Sequence, residues 1–242
     1  VSMTGIGSAA VLQMDMKAAA SIVKRENTRV AKLIGINQAA RTTCVKPAGT
    51  TSLVLGTSSG IHAWHNDYYI RRLRVGKNEP IYKYLKIHNP DLVADEYFRP
   101  HDTAVIEIPQ SAPKGSILRT ESAFDLLKRI KKVATEWVKP GHRKGSNTHN
   151  VSATISLKSD EWEKAGRWMW ENRDCYNGLS VLPYDGGTYT QAPFEDITKK
   201  EFDKRVKNLD HINLSNIVEM TDETDLSGEL ACAGGSCEIT GL

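Results

Sequence analysis

The C-terminal end of the chain carries two cysteines whose spacing suits thiol–disulfide chemistry. Cys232 and Cys237 are five residues apart, beside a Gly-Gly pair, and they follow an acidic stretch with little to bury. Thiol–disulfide exchange requires access to the sulfur atoms of both partners. A cysteine pair on a flexible end meets that requirement, and the pattern therefore predicts redox delivery rather than a structural disulfide.

A second candidate site is a turn that follows a predicted strand and opens a helix, Lys46-Pro47-Ala48-Gly49-Thr50-Thr51-Ser52. The first N–H groups of a helix lack intrahelical partners and the helix dipole favours negative charge, so such a turn can bind an anion. Gly49 lets the backbone approach a phosphate, and the three hydroxyls after it are possible donors. An ordinary strand-to-helix turn with a threonine N-cap fits equally well, and spacing alone leaves both interpretations open.

The next segment, Thr57-Ser-Ser-Gly-Ile-His62, could extend the same pocket through Ser59, Gly60 and His62. Taken alone, these residues are more simply interpreted as a glycine-containing loop with a surface histidine. The other two cysteines, Cys44 and Cys175, are isolated and are expected to be small buried apolar residues. No histidine lies at metal-ligand spacing from a cysteine, so the sequence predicts no metal site.

Composition narrows the class of protein. The chain has 242 residues, 40% of them apolar and 25% charged, which is ordinary for a soluble globular protein. A net charge of +3 gives no support to a nucleic-acid or membrane partner. No apolar run approaches the roughly 20 residues that span a bilayer, and no secretory leader is visible. Four scattered cysteines are typical of a reducing compartment, so we expect a cytoplasmic protein.

Hydrophobic periodicity predicts alternating helices and strands. Helices are expected over residues 8–34, 50–55, 80–88, 122–138, 160–173 and 198–209, and strands over residues 41–46, 69–75, 103–108, 150–157 and 179–182. This alternation predicts an α/β fold with substantially parallel strands. We expect one folded region over residues 1–219 and a flexible tail over residues 220–242.

Several segments along the chain together resemble ribonucleotide reductase, most closely the C-terminal part of the adenosylcobalamin-dependent class. The resemblance is carried by Arg41-Thr-Thr-Cys-Val-Lys-Pro-Ala-Gly-Thr-Thr-Ser52, Gly56-Thr-Ser-Ser-Gly-Ile-His62, Tyr69-Ile-Arg-Arg72, His149-Asn-Val-Ser152, Leu182-Pro183 and Thr190-Gln-Ala-Pro-Phe194. It spans nearly the whole chain and includes the C-terminal cysteine pair.

The resemblance implies a fold and a set of roles. The fold would be the C-terminal portion of a ten-stranded α/β barrel, with substrate phosphates bound at Pro47, Ala48, Gly49, Thr50, Thr51 and Ser52. Ala48 replaces a serine that is common in the family, so one hydroxyl contact is absent there. Cys232 and Cys237 would shuttle electrons from a thioredoxin-like reductant to the active site during reduction of a ribonucleotide.

The resemblance also indicates what the chain lacks. The family's radical-bearing cysteine lies in an Asn-x-Cys-x-Glu setting, which this sequence does not contain. Adenosylcobalamin would be bound mainly by a region N-terminal to Val1. We therefore expect this chain to be inactive alone and to work with an N-terminal reductase chain or region. Two other hypotheses remain: a non-catalytic regulatory or structural protein derived from a reductase barrel, and a small dithiol carrier.

Overall fold

The computed structural model describes residues 1–184, 186 and 189–218, with the side chains of all of these except Thr50 and Leu53. In chain order the strands and α-helices are β1 (Ser2–Met3), α1 (Met16–Ile34), β2 (Cys44–Val45), α2 (Gly49–Val54), β3 (Tyr68–Gly76), α3 (Pro80–His88), β4 (Val93–Asp95), β5 (Thr103–Ser111), α4 (Ala123–Val133), β6 (Thr154–Leu157), α5 (Trp162–Glu171), β7 (Ser180–Pro183), β8 (Phe194–Asp196) and α6 (Lys199–Lys207).

The described residues divide into two compact units, one within Val1–Trp64 and Pro113–Asp185 and the other within His65–Ala112 and Gly186–Leu242. None of the helices described has the combination of length and apolar composition needed to cross a membrane.

The first unit contains two parallel ladders, β1–β2 and β6–β7. In the second ladder Thr154 pairs with Ser180 and Leu157 with Pro183, and α5 is the crossover helix between the strands. One face of each ladder packs on the helices, in a core that includes the following buried side chains: Ile6, Met16, Val45, Ile61, Leu127, Ile130, Val133, Trp137, Val151, Ile155 and Leu157. Parallel pairing, predicted from the sequence, is present in this unit.

Capping residues set the ends of two long helices in the first unit. The Asp15 carboxylate accepts a hydrogen bond from the Ala18 N–H at 2.9 Å, so α1 begins at Met16. The predicted helix over residues 8–34 is therefore wrong in its first part, where 3-10 turns occupy Ile6–Ser8 and Ala10–Gln13. The helix α4 begins with a reciprocal capping box between Ser122 and Asp125 and continues as a π-helical turn over Ala134–Val138, which accounts for the predicted helix 122–138.

The second unit is built on an antiparallel sheet with strand order β4-β5-β3-β8, which corrects the expectation of mainly parallel strands for this part of the chain. Its core is formed by Val75, Leu85, Leu92, Ala104 and Ile106. The helix α3 has the predicted bounds, with Pro80 in its first turn.

The strand β5 continues past residue 108, where the predicted strand ends. Pro109 lies inside the strand, opposite Ile70 of β3. The neighbour on the other side, β4, pairs only with Ala104–Ile106. Among the described residues, no ladder on that side requires the N–H that Pro109 lacks, so the strand tolerates it.

Other predicted strands are shorter than expected. Of residues 41–46 only Cys44–Val45 is strand, and of residues 150–157 only Thr154–Leu157. The strand β7 is not fully buried despite its apolar residues, because Leu182 is 45% exposed. The three strands that periodicity missed, β1, β4 and β8, have two or three residues each, which is too short to show a pattern of alternation.

Candidate functional site

The turn predicted to bind phosphate, residues 46–52, follows β2 and opens α2; we call it the phosphate turn. The Lys46 N–H donates to the Met3 carbonyl at 2.8 Å, so β1 holds the start of the turn. The Trp137 indole N–H donates to the Cys44 carbonyl at 2.9 Å, which anchors β2 to the helical layer. Lys46 and Pro47 are exposed, whereas Ala48 is buried. The turn is therefore exposed at Lys46 and Pro47, while hydrogen bonds to its backbone and to β2 hold it in position.

The hydroxyl groups of the turn have different surroundings. Thr51 is exposed, and the side chain of Thr50 lies outside those described. Ser52 is 2% exposed, and its hydroxyl donates to the Ala48 carbonyl one turn earlier. Since that hydroxyl has a single hydrogen, Ser52 would have to break this bond to donate to a phosphate. Thr51 is the described hydroxyl of this turn that faces solvent.

The second predicted segment, residues 57–62, lies against the phosphate turn; we call it the glycine loop. Gly60 has a φ of +57°, and a Cβ built on it would lie 3.2 Å from the Cα of Pro47 and 3.4 Å from the Lys46 carbonyl oxygen. A side chain at this position would meet backbone, and the left-handed φ disfavours one as well. The structure thus brings the two predicted segments into direct contact.

Two residues near the start of the chain, Thr4 and Ile6, form hydrogen bonds to the backbone of the glycine loop. The Thr4 hydroxyl accepts a hydrogen bond from the Gly60 N–H at 2.9 Å, and the Ile6 N–H donates to the Gly60 carbonyl at 2.9 Å. Both backbone polar groups of Gly60 are therefore satisfied. Sequence reasoning did not select Thr4, because a single threonine far along the chain from the loop carries no signal of this contact.

His62 is not the surface histidine that the sequence suggested. It is half-buried, and its Nε2 accepts a hydrogen bond from the Thr154 N–H at 3.1 Å, at the start of β6. A backbone N–H can only donate, so Nε2 carries no proton and the ring is neutral. Burial lowers the pKa of His62, and the positive charge of Arg129 lowers it further, while a hydrogen bond to the Ser59 backbone and the charge of Glu121 oppose them.

The cysteine predictions have separate outcomes. Cys232 and Cys237 lie outside the described residues. Cys44 and Cys175 are half-buried free thiols rather than fully buried apolar side chains. The Cys44 sulfur lies 3.2 Å from the Ser2 hydroxyl oxygen, on the strand pair β1–β2. Over the part of the chain that is described, no three His, Cys, Asp or Glu side chains are grouped as a metal site would require.

The β6–β7 ladder of the first unit has one face packed on helices and one face open. In β6 and β7 the side chains of Ile155 and Val181 pack on the core, whereas Ser156, Ser180 and Leu182 are exposed. Parallel sheets are normally covered on both faces. Within the described residues this second face has no cover.

The fold described above matches part of a known reductase. No protein-family model matches the chain. In three dimensions it matches the crystal structure of a B-12 dependent (class II) ribonucleotide reductase, with a TM-score of 0.72 and 22% identity, over 89% of this chain and 34% of that chain. The chain therefore has a mixed α/β fold shared with part of that enzyme, which confirms the predicted fold class.

Sequence comparison leads to the same group of proteins. The adenosylcobalamin-dependent ribonucleoside-triphosphate reductase of Lactobacillus delbrueckii subsp. bulgaricus is 28% identical over 217 residues, which are 86% of this chain and 28% of that protein. The protein of the same name from Euglena gracilis is 26% identical over 222 residues, 89% of this chain and 29% of its own length. The chain thus resembles a part of these reductases, as its motifs predicted, and it spans less than a third of their length.

Proposed function

We propose that this chain is part of a ribonucleotide reductase, to which it contributes the binding of substrate phosphates and the transfer of electrons through its cysteine pair. The observation that carries the first role is the contact of Gly60 with the phosphate turn, since it joins two separately predicted segments at one place. The named relatives act on ribonucleoside triphosphates, which makes a polyphosphate the anion to test.

The proposed contacts to phosphate come mainly from the backbone. The first N–H groups of α2 have no helical partners, and Gly49 permits close approach of a phosphate oxygen. Thr51 adds an exposed hydroxyl, and Lys46 adds an exposed positive charge at the entrance. Pro47 and Ala48 set the path of the turn, while Ser52 fixes it through its bond to the Ala48 carbonyl. Ser59, Gly60 and His62 form the neighbouring wall.

The proposed role of Cys232 and Cys237 is exchange with an oxidised active site. A thiolate of the pair attacks the active-site disulfide, and a mixed disulfide forms while one active-site thiolate leaves. The second thiolate of the pair then attacks the mixed disulfide, which releases the other active-site thiolate and leaves a Cys232–Cys237 disulfide. Two electrons have moved to the active site, and a thioredoxin-like dithiol returns the pair to the reduced state.

Another region must complete the enzyme. The chain has no Asn-x-Cys-x-Glu sequence, so we assign the radical cysteine to an N-terminal reductase chain or region. We assign the binding of adenosylcobalamin mainly to that region as well. The open face of Ser156, Ser180 and Leu182 supports such a partner, since a parallel ladder needs a second cover. The chain alone is then an inactive part of an oxidoreductase.

Nucleotide binding by the full 242-residue chain tests the proposed binding of substrate phosphates. Titration calorimetry with CTP should give saturable binding, inorganic triphosphate should compete with it, and cytidine without phosphate should bind far more weakly. The amide resonances of Gly49 and Thr51 should shift on addition of CTP. Equal binding of CTP and cytidine, or shifts confined to other residues, would overturn the assignment of the phosphate turn.

A further inference from the structure

An ion pair between a buried arginine and a partly buried glutamate lies behind the glycine loop. Arg129 of α4 is 6% exposed, and its two terminal nitrogens donate to the two carboxylate oxygens of Glu121, each at 2.6 Å. Burying two charges is costly unless their geometry is good and their remaining hydrogen-bonding groups are satisfied. The two parallel hydrogen bonds fix the plane of the guanidinium group. The Nε–H of this fixed guanidinium group remains available to donate to a further acceptor.

The remaining hydrogen-bond acceptor of Arg129 is a backbone carbonyl of the glycine loop. The Nε–H of Arg129 donates to the carbonyl oxygen of Ile61 at 3.1 Å. Ile61 is fully buried and lies between Gly60, which contacts Pro47, and His62, which accepts from Thr154. The hydrogen bond from Arg129 thus fixes the carbonyl at the centre of the loop.

We propose that Arg129, oriented by Glu121, is a positioning residue for the phosphate turn: it fixes the Ile61 carbonyl and so keeps Gly60 against Pro47. The proposal rests on the phosphate-binding role of that turn. It adds a residue that is remote from the turn in sequence and makes no contact with phosphate.

The alternative explanation, that Arg129 attracts phosphate by its charge, makes the opposite prediction for one variant. The Glu121 carboxylate neutralises the guanidinium, so the pair offers little net charge to an anion. Glu121→Gln would leave that positive charge without its counter-ion. If Arg129 acted by charge, CTP would bind more tightly to Glu121→Gln. If Arg129 acts by position, CTP binds more weakly, because the guanidinium loses one of the oxygens that orient it.

The test compares Arg129→Met, Glu121→Gln and the double variant with the unchanged chain. Each single change should raise the Kd for CTP by about tenfold, the factor expected when one charge-assisted hydrogen bond no longer positions the site. The double variant has no unpaired buried charge and should recover thermal stability without recovering affinity. Arg167→Met is the matched control, since it removes an exposed arginine of α5 that pairs with Glu163 of the same helix, and it should leave the Kd unchanged.

Hydrogen exchange of the Thr154 amide provides a readout that needs no nucleotide. Its exchange should be about tenfold faster in Arg129→Met and Glu121→Gln, because the loop that carries His62 has lost its central anchor. Failure of the unchanged chain to bind CTP would overturn the proposed function, while the exchange rate would still report on Arg129. Unchanged exchange, tighter CTP binding by Glu121→Gln, or recovery of affinity in the double variant would each overturn the positioning role.

Discussion

Gly60 lies directly against Pro47, so closely that a Cβ on Gly60 would come within 3.2 Å of the Pro47 Cα. The two residues are separated along the chain by α2. This contact brings together in space two segments for which the sequence shows only that one follows the other along the chain. It also makes the shape of the phosphate turn depend on the glycine loop.

Gly60→Ala should weaken both stability and CTP binding. The left-handed φ costs an alanine about 1–2 kcal/mol, and the contact with Pro47 adds to that cost and displaces the phosphate turn. Gly35→Ala is the matched control, because Gly35 has a φ of +73° and an added Cβ there would have nothing within 4 Å. Urea unfolding and CTP titration should show a loss of stability in both variants and a loss of affinity only in Gly60→Ala. Equal affinities would contradict the contact.

His62 should make stability depend on pH in a defined direction. Burial, before other causes, lowers the pKa of His62 below its ordinary 6.5, so the unfolded chain takes up a proton that the folded protein does not bind. The stabilisation is fully present above pH 6.5 and is lost as the pH falls from there toward the folded pKa. Urea unfolding at several pH values should show this loss, and His62→Gln should reduce it.

The measurement compares the unchanged chain with His62→Gln at each pH. A slope between about pH 7 and about pH 5 that is the same in His62→Gln as in the unchanged chain would show that His62 is not held neutral.

Replacing Thr51 should affect mainly CTP affinity, whereas replacing its neighbour Ser52 should affect mainly stability. Thr51→Ala removes an exposed hydroxyl and should weaken CTP binding with little change in the free energy of unfolding. Ser52→Ala removes a buried hydroxyl that donates to the Ala48 carbonyl, so it should cost about 1 kcal/mol of stability. Paired calorimetric titration and urea unfolding of the two variants measure both quantities. A larger loss of CTP affinity in Ser52→Ala than in Thr51→Ala, at unchanged stability, would reverse this assignment.

Leu182 should mark the surface that receives the N-terminal region. Leu182→Glu places a charge on the open face of the β6–β7 ladder, and it should weaken association with the N-terminal reductase chain while the isolated chain stays folded. Leu33→Glu on α1 changes a leucine that is 73% exposed and should leave association unchanged. Analytical ultracentrifugation of the mixed chains would compare them. Equal association of the two variants would remove Leu182 from the interface.

The cysteine pair should matter for repeated turnover and not for a single one. With the complete reductase, Cys232→Ser/Cys237→Ser should stop turnover driven by a thioredoxin-like donor and should retain roughly one turnover per prereduced site. Cys175→Ser, which changes a half-buried thiol of the first unit, should keep full turnover. Rapid-quench measurement of deoxynucleotide product checks this prediction. Full steady-state turnover without Cys232 and Cys237 would exclude the shuttle.

Local signals in the sequence predicted local structure well. Pro80 before the apolar run and Asn89-Pro90 after it predict the bounds of α3, and Ser122 with Asp125 predicts the start of α4. Hydrogen bonds within one turn fix such features, so nearby residues determine them.

Features that depend on distant pairing were not predictable in the same way. One antiparallel partner of β3 is β5, where Arg71 pairs with Ile108 across a long intervening segment. The bond from Thr154 to His62 and the bond from Arg129 to Ile61 likewise join remote segments. Periodicity reports which side of a strand or helix is apolar, but it does not report which element packs there.

Reconstitution of the complete enzyme tests most directly whether this chain is part of a ribonucleotide reductase. The full chain would be mixed with an N-terminal reductase chain that contains an Asn-x-Cys-x-Glu sequence, together with CTP, adenosylcobalamin and a dithiol, and deoxycytidine triphosphate would be measured. Product is expected only when both chains are present, and none from either chain alone. Absence of product in every combination, together with absence of CTP binding by this chain, would contradict it.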